Sequence, residues 1–344
     1  MESWLFDRIR STARRRVIVW CLALAALLAL FALQPRYFKN FAFGPYDVSA
    51  ETLNVIRDVD AFAQPFARIH GDEVIDTGLQ EITIRKKRGV ETGREVSANY
   101  YALAIGDRLL IVKSMTMLRD YEGELAPIPS DLQNQLFGDP DMAEYRQAFY
   151  PFYLKTEGYR VPGYMALGVL AVFLVFFLRA VVPGIRHMRD PSTSPVAARV
   201  QTWGNLTMVN GQIQREFETA QVKIGGWKFG QNFLVRSGWF KFDVFRYQDL
   251  LWAFKQVHKQ SYFFIPISKS VAAVMHFNQG EARIQAREKK VDQAIETIVD
   301  RVPWAFFGHD DEMQKAFNKR RGEIVQGVAL RKQQWEAQAA AAAG

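Results

Sequence analysis

Two stretches of the chain, Val17–Leu33 and Tyr164–Val182, run apolar for 17 and 19 residues, the second broken only by Arg179 near its end. A spanning helix needs about 20 apolar residues to cross a hydrocarbon core of roughly 30 Å. Neither stretch carries the polar face that a helix on the surface of a soluble core would show. Together they predict an α+β membrane protein with two transmembrane helices and a sizeable domain on each side of the bilayer. A cleaved signal peptide is the alternative for the first stretch. Its apolar run exceeds the usual length of such a peptide, and Gln34-Pro35-Arg36 offers no small-residue cleavage site, so retention is expected.

Basic residues near span ends stay on the cytoplasmic side. Arg8, Arg10, Arg14, Arg15 and Arg16 precede the first span, and only Arg36 and Lys39 follow it. Arg179, Arg186, Arg189 and Arg199 mark the far end of the second, against Lys155 and Arg160 before it. Both termini are therefore expected in the cytoplasm. Residues 35–162 carry 15 Lys+Arg against 19 Asp+Glu, and residues 179–344 carry 24 against 15. The net charge of +8 is thus concentrated on the side that would face an anionic inner leaflet. Cys21, inside the first span, is the sole cysteine, so an internal disulfide and a cysteine-based metal or catalytic site are excluded.

The boundaries expected are a basic amphipathic segment at 1–16, spans at 17–33 and 164–182, and an extracytoplasmic α+β domain at 35–162. A linker with short helices (184–221), a strand-rich domain (222–308) and a charged helical tail (309–344) follow. In the extracytoplasmic domain Ser49–Phe62 has helical spacing with Ser49 as N-cap. Glu81–Lys87, Glu95–Ile105, Arg108–Ser114 and Tyr121–Ala126 read as strands, with Gly106-Asp107 as a hairpin turn. Ser130 opens a short helix, and Asp139-Pro140 opens another over Asp141–Phe149. The sum is a small bent sheet or partly open barrel. Phe149-Tyr150-Pro151-Phe152-Tyr153, with Tyr37, Phe38, Phe41 and Phe43, makes either an aromatic belt in the headgroup zone or a buried aromatic core.

On the other side, Ser194–Trp203 and Leu206–Glu218 read as helices. Val222–Phe229, Asn232–Arg236, Phe240–Arg246, Leu250–Val257, Ser261–Ser268 and Val271–Phe277 read as six strands. Gln279-Gly280 ends the series, and Glu281–Val302 reads as an amphipathic helix. Tyr247-Gln248-Asp249-Leu250-Leu251-Trp252-Ala253-Phe254, the Phe263-Phe264-Ile265-Pro266-Ile267 strand and the helix closing at Val302-Pro303 resemble bacterial pleckstrin-homology-like domains over Val222–Gly308. The two-span frame around them is similar to that of uncharacterised bacterial membrane proteins. The resemblance implies a β-barrel with a C-terminal helix, placed in the bacterial inner membrane and used as a lipid-surface or protein-binding platform. It carries no site residues.

No catalytic, cofactor or metal-binding motif emerges. The five histidines lack zinc-binding spacing, and there is no nucleophile elbow, P-loop or dinucleotide fingerprint. His258 and His276, if they faced across strands, are the remaining catalytic candidates, and His309-Asp310-Asp311-Glu312 is more simply a helix start than a cation site. Lipid or partner contact falls to two basic sets: Arg85, Lys86, Lys87 and Arg88 outside, and Lys228, Arg236, Lys241 and Arg246, interleaved with aromatics, inside. The inside set suits an anionic leaflet better than a nucleic acid. Cys21, Ala25 and Ala29 recur every fourth residue, a small-residue face for packing on Gly168 of the second span or on a second copy of the chain. Trp4, Leu5 and Ile9 among arginines suit a segment lying in the membrane interface. The expected function is a non-enzymatic inner-membrane scaffold or signal-coupling protein. It is integral to the bilayer, has a protein partner and needs no cofactor; a membrane-associated enzyme is the alternative.

Overall fold

The computed structural model describes residues 3–87, 89–138, 144–262 and 265–343. The fold is mixed α and β, and two helices, α1 (Trp4–Ala32) and the later Val161–Arg189, are long and apolar enough to cross a membrane. The chain divides into two compact units, Ala23–Phe176 and Met1–Leu22 with Phe177–Gly344.

In the first unit α2 (Pro35–Phe43) starts on a proline, which suits a first helical position because its missing N–H has no partner to lose there. Then come β1 (Tyr46–Asp47), α3 (Ala50–Val55), β2 (Phe66–His70), β3 (Glu73–Lys87), β4 (Val90–Ile105), β5 (Arg108–Ser114), β6 (Asp120–Pro127), α4 (Ser130–Phe137) and β7 (Phe149–Lys155). The strands make one open seven-stranded sheet in the order β1-β2-β6-β7-β5-β4-β3, parallel at β1/β2 and β5/β7 and antiparallel elsewhere. Alternation fixes its faces. Leu110, Val112, Tyr150, Phe152 and Leu154 pack with Leu53 of α3, while Ile111, Phe149 and Tyr153 pack with Leu132 and Leu136 of α4.

Three expectations change here. Ser49 does cap α3, accepting the Thr52 N–H, but the helix stops at Val55. Asp58 takes the Asp60 N–H into a local turn and Arg36 holds the Val59 and Asp60 carbonyls, so those backbone groups are satisfied outside a helix. Residues 139–143, which include the expected Asp139-Pro140 helix start, lie outside the described residues. Glu144–Ala148 is a 3-10 turn, and Phe149 already belongs to β7, so the aromatic run is a buried strand rather than an interfacial belt.

The second candidate span is α5 (Val161–Arg189), which contributes to both units. Beyond it, α6 (Pro195–Gln201) and α7 (Leu206–Thr219) are capped by Ser194 and Asn205. β8 (Val222–Ile224), β9 (Trp227–Phe229), β10 (Phe233–Ser237) and β11 (Phe242–Arg246) form an antiparallel four-stranded sheet. A second contains β12 (Leu250–Tyr262), β13 (Ile265–Phe277) and β14 (Gly280–Gln285). It is followed by α8 (Glu288–Arg301), by β15 (Phe306–Phe307) paired to β12, and by α9 (Asp311–Lys319) and α10 (Arg321–Ala343). The two sheets share one core. Trp227, Phe229, Leu234 and Phe245 meet Trp252, Phe254, Met275 and Ile284 under Val291, Ala294 and Ile298 of α8.

This is a pair of sheets, not the closed barrel expected, and its strands are cut differently. Val222–Phe229 is a hairpin, because Gly225 and Gly226 have φ of 57° and 81°, the left-handed pair of a two-residue turn. The expected Ser261–Ser268 strand is divided: Ser261 and Tyr262 end β12, Phe263 and Phe264 lie outside the described residues, and Ile265–Ser268 open β13, which runs on through Val271–Phe277 with a register shift against β12 at Gln260/Ser261. Gln279-Gly280 does not end the series, since Phe277 pairs with Gly280 across a tight turn into β14. There Ala282 and Ile284 are buried and Glu281, Arg283 and Gln285 are exposed, a two-residue period that a helical stripe also accommodates over so short a run.

The outer face of the first of these sheets carries a separate core. Phe233, Val235, Phe242 and Val244 are covered by Val196, Ala197 and Val200 of α6, by Ile213 of α7, and by Leu5 and Ile9 of α1. Leu5 is fully buried, and its N–H donates to Asn210 Oδ1 at 2.9 Å. The segment expected to lie on a lipid surface is therefore part of a protein core. At Gly184 of α5 an added Cβ would stand 2.7 Å from Val17 Cγ2 of α1.

Candidate functional site

In the Ala23–Phe176 unit the end of α1, α2 and the start of α5 enclose a groove of about 560 Å³, a size usual for small-ligand sites. Its walls are apolar, with Leu27, Leu30 and Phe31 from α1 and Ala166 and Val169 from α5; Glu124 and Lys155 lie at its polar end. Tyr37 fixes the helix junction. Its hydroxyl donates to the Tyr159 carbonyl at 3.0 Å and accepts the Gly163 N–H at 2.8 Å. Asn40, 1 % exposed, donates to the carbonyls of Arg36 (2.7 Å) and Ala63 (3.0 Å), and Arg160 holds the Gly44 carbonyl at 2.6 Å.

Glu124 of β6 and Lys155 of β7 are direct cross-strand partners, so their Cβ atoms stand about 5 Å apart on one face. Among the described residues neither side chain makes a salt bridge or a side-chain hydrogen bond. Burial raises the Glu124 pKa above the usual carboxylate value, and Lys155 and Arg36 pull it back only in part. Burial also raises the Tyr37 hydroxyl. A second cavity of about 320 Å³ shares Tyr37 and Glu124 and adds Arg36. The arrangement is an apolar trough ending in one carboxylate and one ammonium.

None of these groove residues was singled out as a site by sequence reasoning. Of the basic outer set, Arg85 pairs with Glu95 at 2.8 Å and Lys86 is exposed on the β3–β4 ribbon, while Arg88 and the Lys87 side chain lie outside the described residues. The inner set is largely engaged within its own fold. Lys228 donates to the Phe217 carbonyl at 2.7 Å and sits 3.6 Å from that ring's centre, where burial lowers its pKa. Arg236 covers Trp227, and Arg246 covers Trp203 while pairing with Asp249 at 2.8 Å. Lys241 is exposed on the β10–β11 loop.

That loop presents Trp239, 70 % exposed, and Phe240, 43 % exposed. Arg15 of α1 stacks on Trp239 and Arg16 donates to the Phe240 carbonyl at 2.9 Å. Two bulky aromatics thus stand beside the point where the apolar run of α1 begins at Val17.

Cys21, Ala25 and Ala29 are exposed along α1, and a Cβ at Gly168 would meet nothing within 4 Å. His258 pairs with Ser270 and His276 with Trp252, so the two histidines do not face each other. His276 packs on Trp252 and Phe317, its pKa lowered by burial. Asp310 caps α9 by accepting the Glu312 N–H, a structural use of the acidic run. Among the described residues no group of three or more His, Cys, Asp or Glu is placed to hold a metal ion.

Residues 195–317 match the family model described as a domain of unknown function (DUF6709). The match starts at the first residue of α6 and ends within α9, so it takes in both sheets and α8. Neither a curated protein nor a solved structure matches the chain.

Proposed function

We propose that the chain is a non-enzymatic scaffold or signal-coupling protein of the bacterial inner membrane, spanning it with α1 and α5 and keeping both termini in the cytoplasm. Its matched domain is a pleckstrin-homology-like platform docked on the anionic inner leaflet. The other unit is the extracytoplasmic binding domain, and a protein partner or a second copy of the chain completes the assembly.

One observation carries this reading. α1 runs unbroken from Leu5 and Ile9, buried against the matched domain, into the apolar run that begins at Val17. A helix shared by a bilayer and a folded domain transmits displacement and rotation between them, which a flexible tether does not. Trp239 and Phe240, stacked or bonded to Arg15 and Arg16 at that level, suit the headgroup zone, where aromatic rings concentrate. The four-strand meander, the antiparallel β12–β14 sheet and the packed α8 support the pleckstrin-homology-like reading. A periplasm-active reporter fused after Gly344 is expected to be inactive, and one inserted near Gly89 active. The reverse pattern refutes the topology.

A further inference from the structure

We propose that the groove between α1, α2 and α5 holds one acyl chain of a membrane phospholipid, with the headgroup ammonium on Glu124 and its phosphate on Lys155. The proposal rests on reading α1 and α5 as membrane spans. Those helices supply the apolar walls, Leu27, Leu30, Phe31, Ala166 and Val169, so a chain of the surrounding lipid reaches the trough without passing through water. The polar end has one group of each sign on adjacent strands. Among the described residues neither makes a direct ion pair or a side-chain hydrogen bond, and Lys155 and Arg36 act on Glu124 through their charge alone.

This charge pattern selects the occupant. An anionic headgroup satisfies Lys155 and leaves Glu124 facing another negative charge in a half-buried site. A quaternary headgroup places its charge near Glu124 but has no N–H to donate. A primary ammonium next to a phosphate, as in phosphatidylethanolamine, matches both side chains. The Tyr37 clamp on Tyr159 and Gly163 holds the helix junction in place around the chain, so the trough is formed before the lipid enters.

The test uses the full chain, delipidated in detergent micelles and mixed with phosphatidylethanolamine or phosphatidylglycerol of identical acyl chains. Retained lipid is counted by native mass spectrometry. Phosphatidylethanolamine should be retained about tenfold better, the margin expected of one charge-assisted contact, and Glu124→Gln should remove that preference, lowering phosphatidylethanolamine retention while phosphatidylglycerol, freed of the opposing carboxylate, is retained at least as well as by wild type. Ala166→Trp should abolish retention of both lipids by filling the trough. Val169→Trp serves the same end one turn along if the first variant melts below wild type. Equal retention of the two lipids, or retention that ignores both tryptophans, overturns the proposal. Binding in micelles does not depend on which side of a membrane each unit occupies, so its failure is separable from that of the reporter experiment.

Discussion

Replacing Leu5 by alanine tests whether the start of the first apolar helix is a structural part of the matched domain. Leu5 is fully buried among Val196, Ala197, Val200, Ile213 and Phe242. The change removes three buried carbons, worth about 0.8 kcal/mol each, or about 2.4 kcal/mol in transfer free energy. A cavity that the neighbouring strand and helices cannot fully close raises the cost to about 3–4 kcal/mol. For a unit of this size each kcal/mol lowers the melting temperature by about 2–4 °C, so the expected drop is roughly 6–16 °C. Thermal melting of the full chain in micelles, followed by tryptophan fluorescence, reads it directly. Leu22→Ala, at a position 64 % exposed on the same helix, is the control and should shift the midpoint by less than about 2 °C. If Leu5→Ala melts with the control, the helix start does not belong to that core and the coupling argument fails.

Acid should weaken the same unit through His276. Burial lowers its pKa, helped by Arg321 and opposed by Glu281, so the folded state binds fewer protons than the unfolded one below about pH 6.5. Stability is then full above that pH and falls as pH drops toward the lowered folded value, and His276→Phe, which keeps a ring against Trp252 and Phe317, should flatten the decline measured between pH 7 and 5. An unchanged slope in the variant refutes the assignment to His276. In vesicles containing brominated lipid, the part of the fluorescence lost on Trp239→Ala should be strongly quenched, and unquenched emission from that residue would place the β10–β11 loop in water.

Local signals were legible where they were complete within a few residues. α7, β5, and the Gly106-Asp107 turn with Ile105 paired to Arg108 all follow from short patterns, whereas the Asn205 cap of α7 was not read. Ala282 and Ile284 failed because two apolar residues at alternate positions fit a strand and the flank of a helix equally well. Phe66–His70 offered only three apolar residues, and it is a strand because β6 pairs with all five of its residues. The groove was illegible for a different reason. Tyr37, Glu124, Lys155 and Ala166 lie in four separate segments, and only the β6/β7 register and the Tyr37 clamp bring them to one place.

The hydrogen bond from Leu5 to Asn210 joins residues 205 positions apart. At about 5–20 residues per second, the ribosome delivers Leu5 roughly 10–40 s before its acceptor. For that interval Leu5 and Ile9 have no core to enter, although the apolar run beside them is already available for insertion. With α1 read as a membrane span, the outer face of the β8–β11 sheet, made more than 200 residues after Leu5, must close on a helix end whose position the bilayer has by then decided. A chain whose first helix inserted in the wrong direction would put Leu5 and Ile9 on the far side of the membrane. Phe233, Val235, Phe242 and Val244 would then stay partly uncovered, so correct insertion is a condition for finishing this domain.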